Sequence, residues 1–330
     1  MSLTFTFANV RTRPSRRWIA LLALLIACGE EAKDTEKPAS TPRPTAEDVP
    51  GRAATATGFK QPESARYDSL ADVFFISNIN GKLTEHDNNG FISRMRPDGT
   101  IDSLAFIAGG RNGVTLDAPK GMVILGDTLW VTDIDVVRGF DRRTGAPVAT
   151  VSLKPQHALF LNDIAVGPDG ALYITDTGLE FTDGTAKHPP STDRIFKIAP
   201  DHTVTVALKS DSLDRPNGIT WDLRGKRFIV VPYGGSKRIF GWRPGEKQVT
   251  PIGFGAGRFD GVEVLPDGRL LVSSWADSSV TIRSGNVSTS IGNLPSPADV
   301  GIDTRRLHVA VPLLMRDRVE IFSIPPMQKQ

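Results

Sequence analysis

LNDIAVGPDGALYITD, residues 161–176, reads as a strand, a turn and a second strand. Ile164 to Val166 and Ala171 to Thr175 are apolar, β-rich runs, and Pro168-Asp169-Gly170 stands between them. Pro presets φ for a turn and Gly tolerates the positive φ that the turn needs, so the stretch predicts a hairpin. Two polar residues, Asn162 and Asp163, lead into the first strand. The same phrase is written six times. Its other copies are QPESARYDSLADVFFISN from Gln61, APKGMVILGDTLWVTD from Ala118, RPNGITWDLRGKRFIVVP from Arg215, RFDGVEVLPDGRLLVSS from Arg258 and SPADVGIDTRRLHVAVP from Ser296.

Most copies are followed by two more strand-like runs, as in Arg194 to Ala199 and Thr203 to Leu208, joined by Asp201-His202. Four strands per unit at a spacing of about 45 residues predict a β-propeller. The expected fold is therefore all-β, a six-bladed propeller over residues 58–330, rather than a β-sandwich. After Arg318 to Ile324 the chain nearly stops, which leaves the last blade one strand short. An unpaired strand edge is a liability. Residues near Ala53 to Phe59 are therefore expected to supply the outer strand and close the ring. Asp133 and Asp176, at the ends of second strands, are read first as turn-formers.

Composition bounds the rest. The 330 residues carry ordinary apolar content, so a large core is possible. Residues 1–27 hold Arg11, Arg13, Arg16 and Arg17 and no acid; without them the formal charge of +2 becomes −2. No basic stripe with interleaved aromatics is present, which argues against nucleic acid as a partner. Trp18 to Ala27 is an apolar run too short to span a bilayer. It ends in Leu25-Ile26-Ala27-Cys28, which resembles a bacterial lipobox. Cys28 is the only cysteine, so it is the expected lipidation site and no disulfide can form within the chain. Residues 1–27 are thus read as a lipoprotein signal peptide, and Ser15-Arg16-Arg17 also resembles a twin-arginine export signal. Residues 28–57, rich in Glu, Lys, Pro, Thr and Ala, are read as a disordered tether. Gly29 after the cysteine implies, by the lipoprotein sorting rule, an outer-membrane anchor facing the periplasm.

In a propeller the first strand of each blade lines the central channel, so the residue leading into it sits at one mouth. Aligned, these are Glu63, Lys120, Asn162, Asn217, Asp260 and Ala298. Four of them offer oxygen, a set that suits Ca²⁺ or another hard divalent cation. None of the five histidines falls in this ring, which argues against zinc or copper there. His157, His202 and His308 read as surface or packing residues. No G-x-S-x-G is present.

Pro62-Glu63, Asn162-Asp163, Arg215-Pro216-Asn217-Gly218 and Phe259-Asp260-Gly261 resemble the leading motifs of the senescence marker protein/gluconolactonase family. They are also similar to those of the related six-bladed diisopropyl fluorophosphatase and paraoxonase. The resemblance runs from about residue 58 to the end. It implies a calcium-dependent hydrolase of lactones or related esters, with Glu63, Asn162, Asn217 and Asp260 as metal ligands. Asp260, or nearby Asp163, would be nucleophile or general base. The chain departs from paraoxonase-like enzymes at Lys120, where they place a His. A lysine there either excludes the metal by pairing with Glu63 and Asp260, or binds an acidic substrate or a developing oxyanion.

Two functions are therefore expected to compete. One is the lipid-anchored hydrolase, acting on a small-molecule substrate. The other is a non-catalytic propeller that binds a small ligand or protein partner at the same mouth. Lyase chemistry of the strictosidine synthase type has no residue support beyond the shared fold. A closed ring has no obligatory dimer edge, so a monomer is expected. Two long loops, Asn78 to Gly90 and Gly178 to Asp193, return to the mouth face and carry His86, Asp87, Asp183 and His188. They are candidate lids.

Overall fold

The computed structural model describes residues 51–327, apart from Asp183 and Asn286. The leader, Cys28 and most of the tether lie outside the described residues. No helix among them is long and apolar enough to cross a membrane.

Six four-stranded antiparallel sheets form the blades of a six-bladed β-propeller. Their inner strands are Pro62–Asp68, Pro119–Leu125, Leu161–Val166, Pro216–Asp222, Phe259–Val264 and Gly301–Asp303. The expected hairpin of blade three pairs Leu161–Val166 with Leu172–Asp176. The last blade is completed as the strand count required. Arg52–Thr57 is its outer strand and pairs antiparallel with Arg318–Ser323. Residues 52–57 thus belong to the ring rather than to the tether.

Adjacent blades are held by apolar seams. Between blades two and three, Trp130, Val137, Leu161, Ile164, Ile174 and Phe196 are buried together. Between blades three and four the seam is aromatic. The Tyr173 ring stands 4.5 Å from Phe228, which stacks at 5.7 Å on Trp242. Each such side chain contributes roughly 1.5–3 kcal/mol by leaving water. The seams therefore hold the ring without disulfides, and they fix the inner strands that carry the site.

The Asp residues at second-strand ends do act as turn-formers. Asp176 accepts the backbone N–H groups of Leu159, Phe160 and Gly178, and Asp133 accepts those of Asp117 and Ala118. They fix the chain just before it enters the inner strand of their own blade.

Candidate active site

The first five inner strands break register at the same place. The shifts fall between Pro62 and Ala65, Pro119 and Met122, Leu161 and Ile164, Pro216 and Ile219, and Phe259 and Val262. The couples inside these bulges are Glu63-Ser64, Lys120-Gly121, Asn162-Asp163, Asn217-Gly218 and Asp260-Gly261. An extended strand sends successive side chains to opposite faces, and a bulge re-aims them. In blade six the same place is taken by Ala298-Asp299, which lies outside the named strands beside isolated bridges, Ser64 with Asp299 and Pro297 with Leu313. The second position is crowded. A Cβ on Gly121 would stand 2.5 Å from the Asp163 Cα, and one on Gly261 2.6 Å from the Asp299 Cα.

The first members of these couples converge. Glu63, Lys120, Asn162, Asn217 and Asp260 all line one cavity of about 390 Å³ at the mouth. Ala298 is buried outside it. A second ring lies above the first: the residue that follows each second strand. Ile79, Thr177, Tyr233, Trp275 and Leu314 come from this register and line the cavity. Their backbone N–H groups donate to the carbonyl two residues before the couple, as in Tyr233 N–H to the Arg215 carbonyl and Trp275 N–H to that of Arg258. Sequence reasoning missed this ring, as it missed Phe160, Arg215 and Arg258; the signal was the position just past each second strand.

Both long loops reach the mouth. The first brings Leu83, and the second folds into a hairpin, Glu180–Thr182 with Thr185–Lys187, that brings Phe181 and Ala186. Phe181 lies 5.6 Å from Phe160. Their histidines turn elsewhere. His86 pairs with Asp117 at 3.0 Å and His188 with Asp193 at 2.6 Å. Asp183 lies outside the described residues.

The oxygens of the candidate ligand residues are left free by their own surroundings. Among the described residues, Glu63 Oε2, Asn217 Oδ1 and Asp260 Oδ1 are buried and have no hydrogen-bond partner. Trp275 Nε1 donates to Asp260 Oδ2 at 2.9 Å, which orients the carboxylate. Asn162 Nδ2 donates to Thr177 Oγ1 at 3.2 Å, which leaves its Oδ1 for the cavity. Burial holds the Glu63 and Asp260 carboxyls well above their usual range, and repulsion adds to it, from Asp260 and Asp299 on Glu63 and from Asp299 on Asp260. Orphaned oxygens from three blades, two carboxylates among them, are a donor set that a hard cation satisfies. Among the described residues no group of three or more His, Cys, Asp or Glu gathers for a metal, so a cation here depends on the amides.

Lys120 does not pair with Glu63 or Asp260, contrary to the metal-excluding arrangement considered above. Its Nζ donates to the carbonyls of Ala118 at 3.0 Å and Leu83 at 3.2 Å, and lies 4.5 Å from the Phe160 ring centroid. Burial lowers its pKa to about 8, against the pull of Glu63, Asp133 and Asp135. An ammonium has three donors, and two are used here.

Asp163 stands corrected as a candidate base. Oδ1 accepts the N–H of Ile164 and Oδ2 that of Ile219, both at 2.7 Å, and the residue is not on the cavity wall. It belongs to a deeper layer that ties blade three to blade four. Across the channel Asp299 Oδ2 accepts the Ser64 hydroxyl at 2.6 Å. Below them Arg66 pairs with Glu263 and lies 3.8 Å from Asp299.

Residues 62–300 match the family profile described as SMP-30/Gluconolactonase/LRE-like region. The chain belongs to that family. A search of curated proteins returned no match. Among solved structures, a protein assigned as a gluconolactonase aligns with a TM-score of 0.60 at 16% identity, covering 85% of this chain and 96% of that one. A gluconolactonase from Xanthomonas campestris aligns at 0.53 and 15% identity, covering 83% and 98%. Virginiamycin B lyase from Staphylococcus aureus, with quinupristin, also aligns at 0.53 and 15%, covering 82% and 98%. At these identities the structures share the fold, which serves hydrolases and lyases alike.

Proposed function

We propose that this SMP-30/gluconolactonase/LRE-like protein is a calcium-dependent hydrolase of lactones or related esters. The observation that carries the reading is the set of three buried, unpartnered oxygens on Glu63, Asn217 and Asp260 around one cavity. These residues, with Asn162, would hold the cation. When bound, such an ion polarises a carbonyl oxygen and acidifies water.

The chain's own residues do the rest. Trp275 holds Asp260 by one oxygen and leaves the other facing the cavity, where it can take a proton from an attacking water or attack the acyl carbon itself. The remaining N–H of Lys120 is available to a developing oxyanion. Phe160, Phe181 and Trp275 exclude bulk water from the reacting bond. The metal-free binding reading needed a Lys120 bridge between the acids, and the side chain is committed elsewhere. The leader and Cys28 extend the proposal to a lipid-anchored protein of the outer membrane, facing the periplasm.

Elemental analysis and calcium-dependent melting of the full chain test the site. One calcium per chain and a melting temperature raised by Ca²⁺ are expected, and both vanish in Asp260→Ala and weaken in Glu63→Gln. Absence of metal and of any shift in the unsubstituted protein overturns the calcium site. A lactone and ester screen follows on the loaded protein.

A further inference from the structure

We infer that the substrate of this site carries a carboxylate on an apolar body, and that Arg215 and Arg258 at the rim receive the carboxylate. The word substrate rests on the hydrolase reading; the anion site rests on the rim alone.

Arg215 and Arg258 stand two residues before the Asn217-Gly218 and Asp260-Gly261 couples, and both line the cavity. Both hold left-handed backbone, with φ of 61° and 45°. That conformation is uncommon outside glycine. Among the described residues neither guanidinium has a carboxylate within 4.0 Å. Arg215 Nε is buried with no acceptor. Arg258 Nη2 donates to the Tyr233 hydroxyl at 2.9 Å, and its guanidinium lies 5.1 Å from the Tyr233 ring centroid. Two planar donor forks without anions are a carboxylate receptor.

Charge and wall chemistry agree. Glu63 and Asp260 balance one divalent ion, which leaves Lys120, Arg215 and Arg258 uncompensated around the same cavity. The walls between rim and floor are Leu83, Phe160, Phe181, Trp275 and Leu314. Of the hydroxyls present, Thr177 accepts from Asn162 and donates to the Pro216 carbonyl, and Tyr233 accepts from Arg258, which leaves one phenolic O–H as the only hydroxyl donor on the walls among the described residues. A neutral polyol lactone would bury most of its hydroxyls against the apolar side chains of these walls, where they find no partner. An aryl or alkyl ester with a distal carboxylate would not.

The test is titration calorimetry of the calcium-loaded full chain with 4-acetamidobenzoate and with its methyl ester. These are uncleaved mimics of an acetyl ester with and without the charge. The anion should bind about tenfold or more tightly than the neutral ester, with the preference shrinking as salt is raised. Arg215→Gln with Arg258→Gln should bring the two affinities within about twofold of each other. Arg258→Glu, at an exposed position, should reverse the preference without lowering the melting temperature. Equal or tighter binding of the neutral ester, binding of neither probe, or a preference that survives the substitutions overturns the proposal. Hydrolysis of 4-acetoxybenzoate separates this from the parent reading. A calorimetric preference without hydrolysis leaves the anion site standing and removes the hydrolase. Equal hydrolysis of the charged and neutral esters does the reverse.

Discussion

Asp299 shows how single residues in this channel trade stability for a site. It is buried one layer below Glu63 and Asp260, with Oδ1 unpartnered. Burial raises its pKa to about 7, although Arg66 and the Ser64 hydroxyl pull it down. The unfolded chain ionises Asp near 3.9, so it binds fewer protons than the native state between about pH 4 and pH 7. Stability from this group is therefore complete below about pH 4 and is lost as pH rises through about 7. Asp299→Asn keeps the shape and removes the charge. In calcium-free protein at pH 8 it should be more stable by about 1–3 kcal/mol, a few degrees of melting temperature. At pH 4 it should match the unsubstituted protein. Calorimetric melting at both pH values checks this, and an equal offset at both would refute it.

At the element scale the working part is the bulge, not the strand. It exposes backbone groups that the ladder would have paired, and hydroxyls from second strands pair them instead. Thr175 Oγ1 donates to the Asn217 carbonyl at 2.5 Å and accepts the Asp163 N–H at 3.0 Å. Thr132 and Ser273 reach the Asn162 and Ala298 carbonyls of their next blades in the same way. Each hydroxyl therefore fixes a mouth residue from the neighbouring blade. Thr175→Val keeps the shape and leaves a buried C=O and N–H unpaired, which costs about 1–3 kcal/mol. Urea unfolding should show that loss, and calcium titration should show several-fold weaker binding because Asn217 loses its anchor. Unchanged calcium affinity would mean the hydroxyl serves the fold alone.

For the whole molecule, closure is the decisive contact. Arg52–Thr57 joins the two ends of the propeller through its pairing with Arg318–Ser323, reinforced by Thr55 and Arg52 on Glu320. Ala56 and Phe59 are buried in the same seam. Removal of residues 1–57 should leave an open edge, lower the melting temperature by many degrees and promote aggregation. Removal of residues 1–50 should leave melting unchanged. Calorimetry and size-exclusion chromatography of the two truncations distinguish them, and equal behaviour would show that the ring does not depend on this strand.

Period, turn chemistry and strand count were enough for the sequence to determine six blades, the closing strand and the ring of Glu63, Lys120, Asn162, Asn217 and Asp260. These are properties of a repeat, and a repeat is local and countable. The tertiary structure alone decided which way each of those residues faces and what it touches. Asp163 adjoins Asn162 in sequence, yet the bulge hands its oxygens to the amides of Ile164 and Ile219. Lys120 turns to two carbonyls rather than to the acids. Trp275 meets Asp260, fifteen residues away, only because the second strand returns beside the first. A β-bulge changes side-chain direction without a change in residue type, and partners across blades are distant in sequence, so neither can be read from spacing.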